Sequence, residues 1–165
     1  MLIGFMGAGK SSVGRLLAQK TGLARFDTDE LVVAKLGQSI ADIFKTRREA
    51  EFRLAESDVL AHLVGQPPGI IVTGGGIVLR PENVALLKKL GVIVSLEADE
   101  ETLFRRVSRR DTRPLLRTKD PRATLHELFV ARAPLYHGAA DIRVDTSQLS
   151  HDQVAIEILR RIETL

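Results

Sequence analysis

The chain has 165 residues, 44% hydrophobic and 27% charged, with a formal net charge of +3. This composition is typical of one folded globular domain and not of a disordered chain. Cysteine is absent, which excludes disulfides and thiolate metal sites. Aromatic residues make up only 4%, so few side chains are available to stack on nucleic-acid bases. No apolar stretch approaches the roughly 20 residues needed to cross a bilayer, and the N-terminus lacks the apolar core of a secretory signal. We therefore expect a cytoplasmic protein.

Apolar, strand-like runs alternate with helical patterns along the chain. The predicted strands are Met1–Phe5, Leu23–Asp27, Gly69–Thr73, Val92–Leu96 and Asp141–Asp145. The predicted helices are Lys10–Thr21, Asp29–Leu36, Arg47–Val64, Pro81–Leu90, Asp99–Arg109, Arg122–Ala133 and Ser150–Glu163. Continuous apolar runs such as Ile70-Ile71-Val72 are typical of parallel strands buried on both faces. The alternation predicts an α/β fold, with a five-stranded parallel sheet covered by helices on both faces, as a single domain over residues 1–165.

Capping residues mark several of these helix ends. Gly22 suits a helix C-cap, and Pro81 suits a first helical position. Asp99 and Ser150 are typical N-cap residues because their side-chain oxygens can accept from the first backbone N–H groups.

Residues 4–11 read Gly-Phe-Met-Gly-Ala-Gly-Lys-Ser, which is a complete G-x-x-x-x-G-K-[ST] phosphate-binding motif between a predicted strand and a predicted helix. Glycines allow backbone N–H groups to curl around phosphate oxygens. Lys10 supplies a point charge for the outer phosphates, and the Ser11 hydroxyl can ligate Mg²⁺. The motif predicts nucleoside triphosphate binding by Gly7, Ala8, Gly9, Lys10, Ser11 and Ser12.

Ligands of parallel α/β sheets bind beyond the carboxyl ends of the strands, so the residues that follow each strand are candidates for the site. Asp27 and Asp29 follow the second strand, and their spacing points both carboxylates the same way if the chain stays extended. One could then hold a metal while the other accepts a proton from an attacking hydroxyl. The alternative is that Asp29 caps the next helix and Asp27 is only solvated. After the third strand, Gly74, Gly75 and Gly76 offer bare N–H groups to a ligand, or form a loose surface turn.

Arginines form the next group of candidates. Arg53 pairs at helical spacing with Glu56, which by itself also suits an ion pair on a solvated face. Between residues 105 and 122 the chain concentrates Arg105, Arg106, Arg109, Arg110, Arg113, Arg117, Lys119 and Arg122 against Asp111 and Asp120. This segment suits a nucleic-acid patch, a solvated face or a mobile lid over polyphosphate, and its proline breakers favour the lid. Arg132 follows on the next helix, whereas His62, His126, His137 and His151 lack metal-ligand spacing and are interpreted as surface or packing residues.

Taken in order, these segments resemble the shikimate kinase family. The similarity covers residues 4–11, Asp-Thr-Asp at 27–29, Ser-Ile-Ala-Asp-Ile-Phe at 39–44, Glu-Phe-Arg-x-x-Glu at 51–56, the glycines at 74–76, Arg-Pro-Leu-Leu at 113–116 and Arg-x-Pro-x-Tyr at 132–136. The phosphate-binding motif alone is common to many families, but the ordered set is specific. The resemblance implies a three-layer P-loop kinase fold that uses ATP and one Mg²⁺ to phosphorylate the 3-hydroxyl of shikimate, giving shikimate 3-phosphate and ADP.

The resemblance also implies roles for individual residues. Asp29 would orient or deprotonate the acceptor hydroxyl, with Lys10 and Arg113 as the other catalytic groups. Arg113 would also bind ATP, by touching the transferring phosphate. Asp27 and Ser11 would hold Mg²⁺, partly through water. The substrate-binding set would be Asp29, Arg53, Gly74, Gly75, Gly76 and Arg132, with the two arginines gripping a carboxylate. Arg106 would pack on adenine, beside a base-binding loop at 147–151 in which His151 replaces a proline common in the family. The lid would span about 109–122 and the substrate-binding helical region about 29–64.

Two other functions compete with this expectation. A related small-molecule kinase, for a nucleoside monophosphate or gluconate, would share the phosphate-binding loop and the lid without needing a paired aspartate and arginine clamp. A non-enzymatic nucleotide- or nucleic-acid-binding module would use the arginine-rich segment, although the modest charge and few aromatics count against it. We expect small-molecule partners only, no nucleic acid, no membrane, and a monomer.

Overall fold

The computed structural model describes residues 1–46, 49–108, 114–116 and 118–165. The strands are β1 (Leu2–Gly4), β2 (Ala24–Asp27), β3 (Gly69–Val72), β4 (Val94–Glu97) and β5 (Ile142–Asp145). The helices are α1 (Lys10–Thr21), α2 (Thr28–Leu36), α3 (Ile40–Thr46), α4 (Glu49–Leu63), α5 (Pro81–Leu90), α6 (Glu100–Ser108), α7 (Pro121–Ala139) and α8 (His151–Ile162), with 3₁₀ turns at Ile77–Leu79 and Pro114–Leu116. Among these described helices, none is both long enough and apolar enough to span a membrane.

The five strands form one parallel sheet in the order β2-β3-β1-β4-β5. Leu2 and Ile3 of the central strand are both almost fully buried. Because successive side chains of a strand point to opposite faces, this burial requires cover on both sides of the sheet. Helices α1 and α8 pack together against β3, β1 and β5. The predicted three-layer α/β/α arrangement with five parallel strands is confirmed.

The helix ends follow the capping chemistry that the sequence predicts. Gly22 ends α1 in the left-handed conformation at φ 72°, and Pro81 occupies the first turn of α5. Asp99 Oδ1 accepts from the Thr102 N–H at 2.7 Å, and Ser150 forms a reciprocal capping box with Gln153 at the start of α8. These side chains satisfy N–H groups that have no partner within their own helix.

Two helices differ from the prediction. Helix α3 was not predicted, yet Ser39 and Asp42 form a capping pair in which the Asp42 N–H donates to Ser39 Oγ at 3.2 Å. The predicted helix ending at Ala133 continues through Pro134 to Ala139. Proline in a helix interior removes one backbone hydrogen bond. Burial of Tyr136 and Ala139, each 3% exposed, compensates for that loss by packing the last turns against the core.

The arginine-rich segment is described only in part. Residues 109–113 and 117 lie outside the described residues, and so does the catalytic role predicted for Arg113. Leu115 and Leu116, within the 3₁₀ turn, pack against the main core. Helix α7 begins at Pro121, with Asp120 as its N-cap, so a lid predicted at 109–122 would end at Asp120.

The region from α2 to α4 contains a hydrophobic cluster of its own. Its buried members are Val32, Ile43, Phe52, Ala55 and Val59. This second core is separate from the main core around the sheet, and Leu31 packs against both. Helices α2, α3 and α4 therefore share a small core next to the edge strand β2, while Leu60 and Leu63 of α4 also belong to the main core.

Candidate functional site

The phosphate-binding motif forms the connection between the carboxyl end of β1 and the start of α1. Gly7 and Gly9 have φ values of 84° and 96°, a left-handed conformation that side chains disfavour. Gly9 is also the N-cap of α1, so the first amides of that helix point into the loop. Lys10 is 9% exposed and its Nζ donates to the carbonyl oxygens of Gly4 at 2.7 Å and Phe5 at 3.0 Å. The loop is therefore an anion-binding concavity with an ammonium group at its centre.

A cleft of about 490 Å³ opens on one side of this loop. It is lined by Gly7, Gly9, Lys10, Ser11, Ser12, Arg106, Val107, Leu149, Ser150 and His151. Of the residues predicted to bind ATP, Ala8 is buried and Arg113 lies outside the described residues, and all the others line this cleft. The Arg106 guanidinium donates to Thr146 Oγ1 at 2.9 Å and to the Thr146 carbonyl at 2.7 Å, which holds its plane at the cleft wall.

A second, smaller pocket of about 80 Å³ lies on the other side of the loop. Its lining consists of Met6, Asp29, Phe44, Phe52, Arg53, Gly74, Gly75, Gly76, Leu115 and Arg132. All six residues predicted to bind the substrate meet here, although they come from α2, α4, the turn after β3, and α7. Their binding roles remain a prediction, but their convergence gives one small pocket a carboxylate, two guanidinium groups and glycine amides.

The two cavities meet at the phosphate-binding loop. Met6 lines the small pocket and the next residue, Gly7, lines the large cleft. The glycine turn after β3 contacts the same loop, since a Cβ at Gly75 would lie 3.6 Å from the Met6 nitrogen and 3.8 Å from the Gly4 carbonyl oxygen. The two cavities are thus adjacent at the loop.

The carboxylates of Asp27 and Asp29 do not lie on one extended segment, as their spacing predicts. Strand β2 ends at Asp27 and α2 begins at Thr28, so the assumption of an extended chain is wrong. Asp27 Oδ1 caps α2 by accepting from the N–H groups of Asp29 at 3.1 Å and Glu30 at 3.5 Å. The alternative, with Asp29 as the cap and Asp27 solvated, is wrong too, because Asp27 is only 9% exposed. Asp29 instead lies in the first turn of α2 and lines the small pocket.

The ion pair between Arg53 and Glu56 is present but it is not on a solvated face. Arg53 Nη1 donates to Glu56 Oε2 at 2.9 Å, and the Glu56 side chain is 0% exposed. Arg53 also bonds Glu49 Oε1 at 2.9 Å and lies over the Phe52 ring at 5.1 Å. Burial by itself lowers the pKa of Arg53, but the two carboxylates outweigh it and the net shift is upward. The guanidinium is thus held charged and in a fixed position at the pocket wall.

The buried carboxyl of Glu56 predicts a pH dependence of stability with a definite sign. Burial raises the pKa of Glu56, and the charge of Arg53 offsets only part of this effect. A group whose folded pKa is raised contributes stability that is complete below its unfolded pKa and is lost as pH rises through the folded pKa. We expect the free energy of unfolding of the wild type, relative to Glu56→Gln, to fall as pH rises above the ordinary glutamate pKa of 4.5.

Urea unfolding of both proteins across that range measures the difference. Glu127→Gln, which changes an exposed glutamate of α7, is the control and should give a nearly constant difference. If the difference in unfolding free energy between the wild type and Glu56→Gln stays constant or rises with pH, the raised pKa of Glu56 is contradicted.

The donor set at the loop is chemically suited to Mg²⁺. The Ser11 hydroxyl and the Asp27 carboxylate are hard oxygen donors, as this cation prefers. Asp27 already accepts from the α2 amides through Oδ1 and from Arg25 Nη1 through Oδ2 at 3.1 Å. No group of three or more acidic or histidine side chains suited to a metal occurs within the described ranges. The residues fit a cation that takes its remaining ligands from phosphate oxygens and water.

Several pocket residues were not predicted as site residues. Met6, Phe44, Phe52 and Leu115 supply apolar wall, and from sequence alone such residues look like core. His151, interpreted as a surface or packing residue, lines the large cleft, where a Cβ on Gly9 would lie 3.2 Å from its ring. This position agrees with the base-binding loop that the family resemblance implies at 147–151, although the histidine itself was given no binding role.

A phosphate-binding loop that borders both a nucleotide-sized cleft and a small polar pocket is the arrangement of a small-molecule kinase. The sequence model of the family described as "SKI: Shikimate kinase" matches residues 6–163. A shikimate kinase of Thermodesulfovibrio yellowstonii is 41% identical over 165 residues, covering 100% of this chain and 95% of the relative. One of Caulobacter vibrioides is 46% identical over 159 residues, covering 96% of this chain and 78% of the relative.

Solved structures agree with the sequence relatives. The shikimate kinase of Acinetobacter baumannii in complex with shikimate superposes with a TM-score of 0.94 at 36% identity, covering 99% of this chain and 91% of that chain. The Aquifex aeolicus shikimate kinase gives a TM-score of 0.83 at 36% identity, covering 98% and 94%. This chain belongs to the shikimate kinase family.

Proposed function

We propose that the protein transfers the γ-phosphoryl group of ATP to the 3-hydroxyl of shikimate, producing shikimate 3-phosphate and ADP. The observation that carries this proposal is the small pocket beside the phosphate-binding loop, in which Asp29, Arg53 and Arg132 converge with the glycine turn. Shikimate is a hydroxylated ring with one carboxylate, so it needs a cationic clamp at one end and a proton acceptor near the reacting hydroxyl. Family membership and the pocket's chemistry support the same substrate.

On the acceptor side, Arg53 and Arg132 bind the carboxylate. Planar guanidinium groups suit a carboxylate because they can donate two parallel hydrogen bonds. Asp29 accepts a hydrogen bond from the 3-hydroxyl, orients it towards the phosphate and takes its proton during transfer. The Gly75 and Gly76 amides of the glycine turn bind the ring hydroxyls, while the Gly74 amide donates to Thr28 Oγ1. Anchoring both ends of the acceptor supplies the positioning on which phosphoryl transfer depends.

On the nucleotide side, the loop amides and Lys10 cradle the phosphates. Arg106 and His151 border the part of the cleft that takes the base, where the Arg106 plane packs on adenine. Ser11 and Asp27 would hold one Mg²⁺, partly through water. When bound, this ion neutralises charge on the phosphate oxygens. We further propose that Arg113, on a lid at about 109–120, contacts the transferring phosphate and that lid closure excludes water.

The acceptor is tested by measuring ADP release with a panel of shikimate, gluconate and several nucleoside monophosphates. We expect saturable turnover with shikimate and with none of the others. Turnover of a nucleoside monophosphate or gluconate alone would replace the substrate assignment by one of the related kinases. Binding of RNA or DNA with a steep salt dependence and no turnover would instead favour a nucleic-acid-binding module.

Gly76 provides a steric test of the pocket. Its φ of −103° is open to any residue, but a Cβ there would clash with the guanidinium of Arg53. We expect Gly76→Ala to displace that guanidinium and to raise the KM for shikimate about tenfold or more, with the KM for ATP nearly unchanged. Gly138→Ala, whose Cβ would meet nothing within 4 Å, is the matched control. Equal changes in both KM values, measured by steady-state kinetics, contradict the proposed carboxylate clamp.

We propose that the protein works as a single-domain cytoplasmic monomer, without nucleic acid or a membrane as partner. Analytical ultracentrifugation of the active enzyme tests the monomer. Chelation tests the metal: EDTA should abolish turnover, and added Mg²⁺ should restore it. Turnover that persists in EDTA would contradict the role proposed for Ser11 and Asp27.

A further inference from the structure

Two side chains that do not line the small pocket form hydrogen bonds to its glycine turn. The Gly74 N–H donates to Thr28 Oγ1 at 3.0 Å, and the Thr28 side chain is fully buried. The Gly75 carbonyl accepts a hydrogen bond from the hydroxyl of Tyr136, on α7. Neither the Gly75 nor the Gly76 amide has an acceptor in the described part of the chain, which leaves both N–H groups for a ligand. A triple-glycine turn is otherwise costly to order, since each glycine has many backbone conformations to lose.

The bond from Tyr136 acts on the peptide that joins Gly75 to Gly76. In a trans peptide the carbonyl oxygen and the following N–H point in opposite directions. Fixing the Gly75 carbonyl towards α7 therefore also fixes the direction of the Gly76 N–H, whose residue lines the pocket. The same helix carries Arg132 four residues earlier, and residues at this spacing lie on one face of a helix. Helix α7 thus presents a guanidinium and a hydroxyl together to the acceptor side.

The surroundings keep the Tyr136 hydroxyl a donor. The side chain is 3% exposed. Burial raises its pKa to about 12, although Arg132 acts in the opposite direction. The hydroxyl therefore stays protonated throughout the neutral range. The uninterrupted run of α7 through Pro134 is what carries Tyr136 to the turn, since a helix ending at Ala133 would not place it there.

We propose that Tyr136 is a positioning residue for the acceptor: its hydroxyl orders the Gly74–Gly76 turn so that the turn's amides face the bound hydroxyl groups. The inference rests on the proposed function of the pocket and adds a residue that contacts neither substrate. Loss of the hydroxyl leaves the Gly75 carbonyl without its partner and loosens the turn only where the acceptor binds.

Tyr136→Phe removes this hydroxyl and little else. We expect the KM for shikimate to rise about tenfold, with the KM for ATP within about twofold of the wild type. Ile158→Val, a conservative change in the core of α8, is the control for a general loss of stability. It should leave the KM for shikimate unchanged even where its thermal unfolding midpoint matches that of Tyr136→Phe. An unchanged KM for shikimate in Tyr136→Phe, or an equal rise in both KM values, overturns the inference.

A second measurement needs no variant. Tyr136 is the only tyrosine of the chain, which also has no tryptophan. Fluorotyrosine incorporation therefore gives one fluorine resonance, which should shift saturably with shikimate and stay in place with ADP alone. A fluorine resonance that does not shift when shikimate is added overturns the inference even if Tyr136→Phe fails to fold. Absence of shikimate turnover by the wild type would overturn the proposed function and this inference together. If the wild type does turn over shikimate, an unaffected KM in Tyr136→Phe or an unshifted fluorine resonance overturns only the inference.

Discussion

Replacing Asp29 with asparagine is expected to lower kcat for shikimate by about 10²- to 10⁴-fold, with the KM for ATP nearly unchanged. The amide is close in size to the carboxylate, so the packing in the first turn of α2 stays as it is. It carries no negative charge and cannot take the proton of the attacking hydroxyl. Because Asp29 lines the small pocket and not the nucleotide cleft, the loss falls on the acceptor side. Steady-state kinetics with each substrate varied separately measures this effect.

The control for this variant is the same chemical change at a surface position. Asp58 pairs with Lys35 at 3.0 Å, and its side chain is 60% exposed, so Asp58→Asn should leave both kcat and the KM values as they are. Wild-type turnover by Asp29→Asn would remove the carboxylate from the mechanism. The phosphate itself would then be the acceptor of the hydroxyl proton.

Replacing Arg132 with alanine is expected to raise the KM for shikimate about 100-fold, with the KM for ATP unchanged. Arg132 is 6% exposed, and an ion pair with a carboxylate in such surroundings is weakly screened by water. Arg132→Lys should recover part of the loss, since it restores the charge without the two parallel donors. Arg160→Ala, at a side chain 64% exposed on α8, is the control. Isothermal titration with shikimate gives the same comparison without turnover.

Substitution of Arg132 tests the carboxylate clamp more directly than substitution of Arg53 does. Removing Arg53 would leave the fully buried Glu56 without its hydrogen-bonded guanidinium, and Glu56 Oε1 already has no hydrogen-bond partner among the described residues. An uncompensated buried charge commonly costs 3–5 kcal/mol by itself, roughly as much as the effect on the substrate. Arg53→Ala would therefore mix a loss of stability with a loss of acceptor binding.

The sequence predicts the parts of this molecule that depend on local chemistry. The phosphate-binding loop and α1 follow from glycine and capping rules within a short segment, and α1 was predicted to the residue. Helix α3 was missed because its signal, Ser39 with Asp42, is short and lies in a weakly periodic stretch. The end of α7 was misplaced at Pro134 because the burial of Tyr136 is a tertiary effect, which no local pattern reports.

In the candidate site, too, some features could be predicted from the sequence and others could not. Charged and glycine residues could be predicted as candidates, and all six residues predicted to bind the substrate line one pocket. The spacing of Asp27 and Asp29 was misleading because the strand turns into a helix between them. For Arg53, the pattern predicted the ion pair with Glu56 but could not tell a buried pair from an exposed one. The apolar wall from Phe44 and Phe52 could not be told apart from core at all.

The small core of α2 to α4 has a consequence for how the protein responds to its acceptor. Phe52 belongs to this core and also lines the pocket, whose opposite wall comes from the turn after β3 and from α7. Helices α2 and α3 have few buried side chains, so they should open at lower free energy than the sheet does. Amide hydrogens of α2 and α3 should then exchange with solvent faster than those of the strands, and shikimate, by bridging these helices and the opposite wall of the pocket, should slow that exchange selectively.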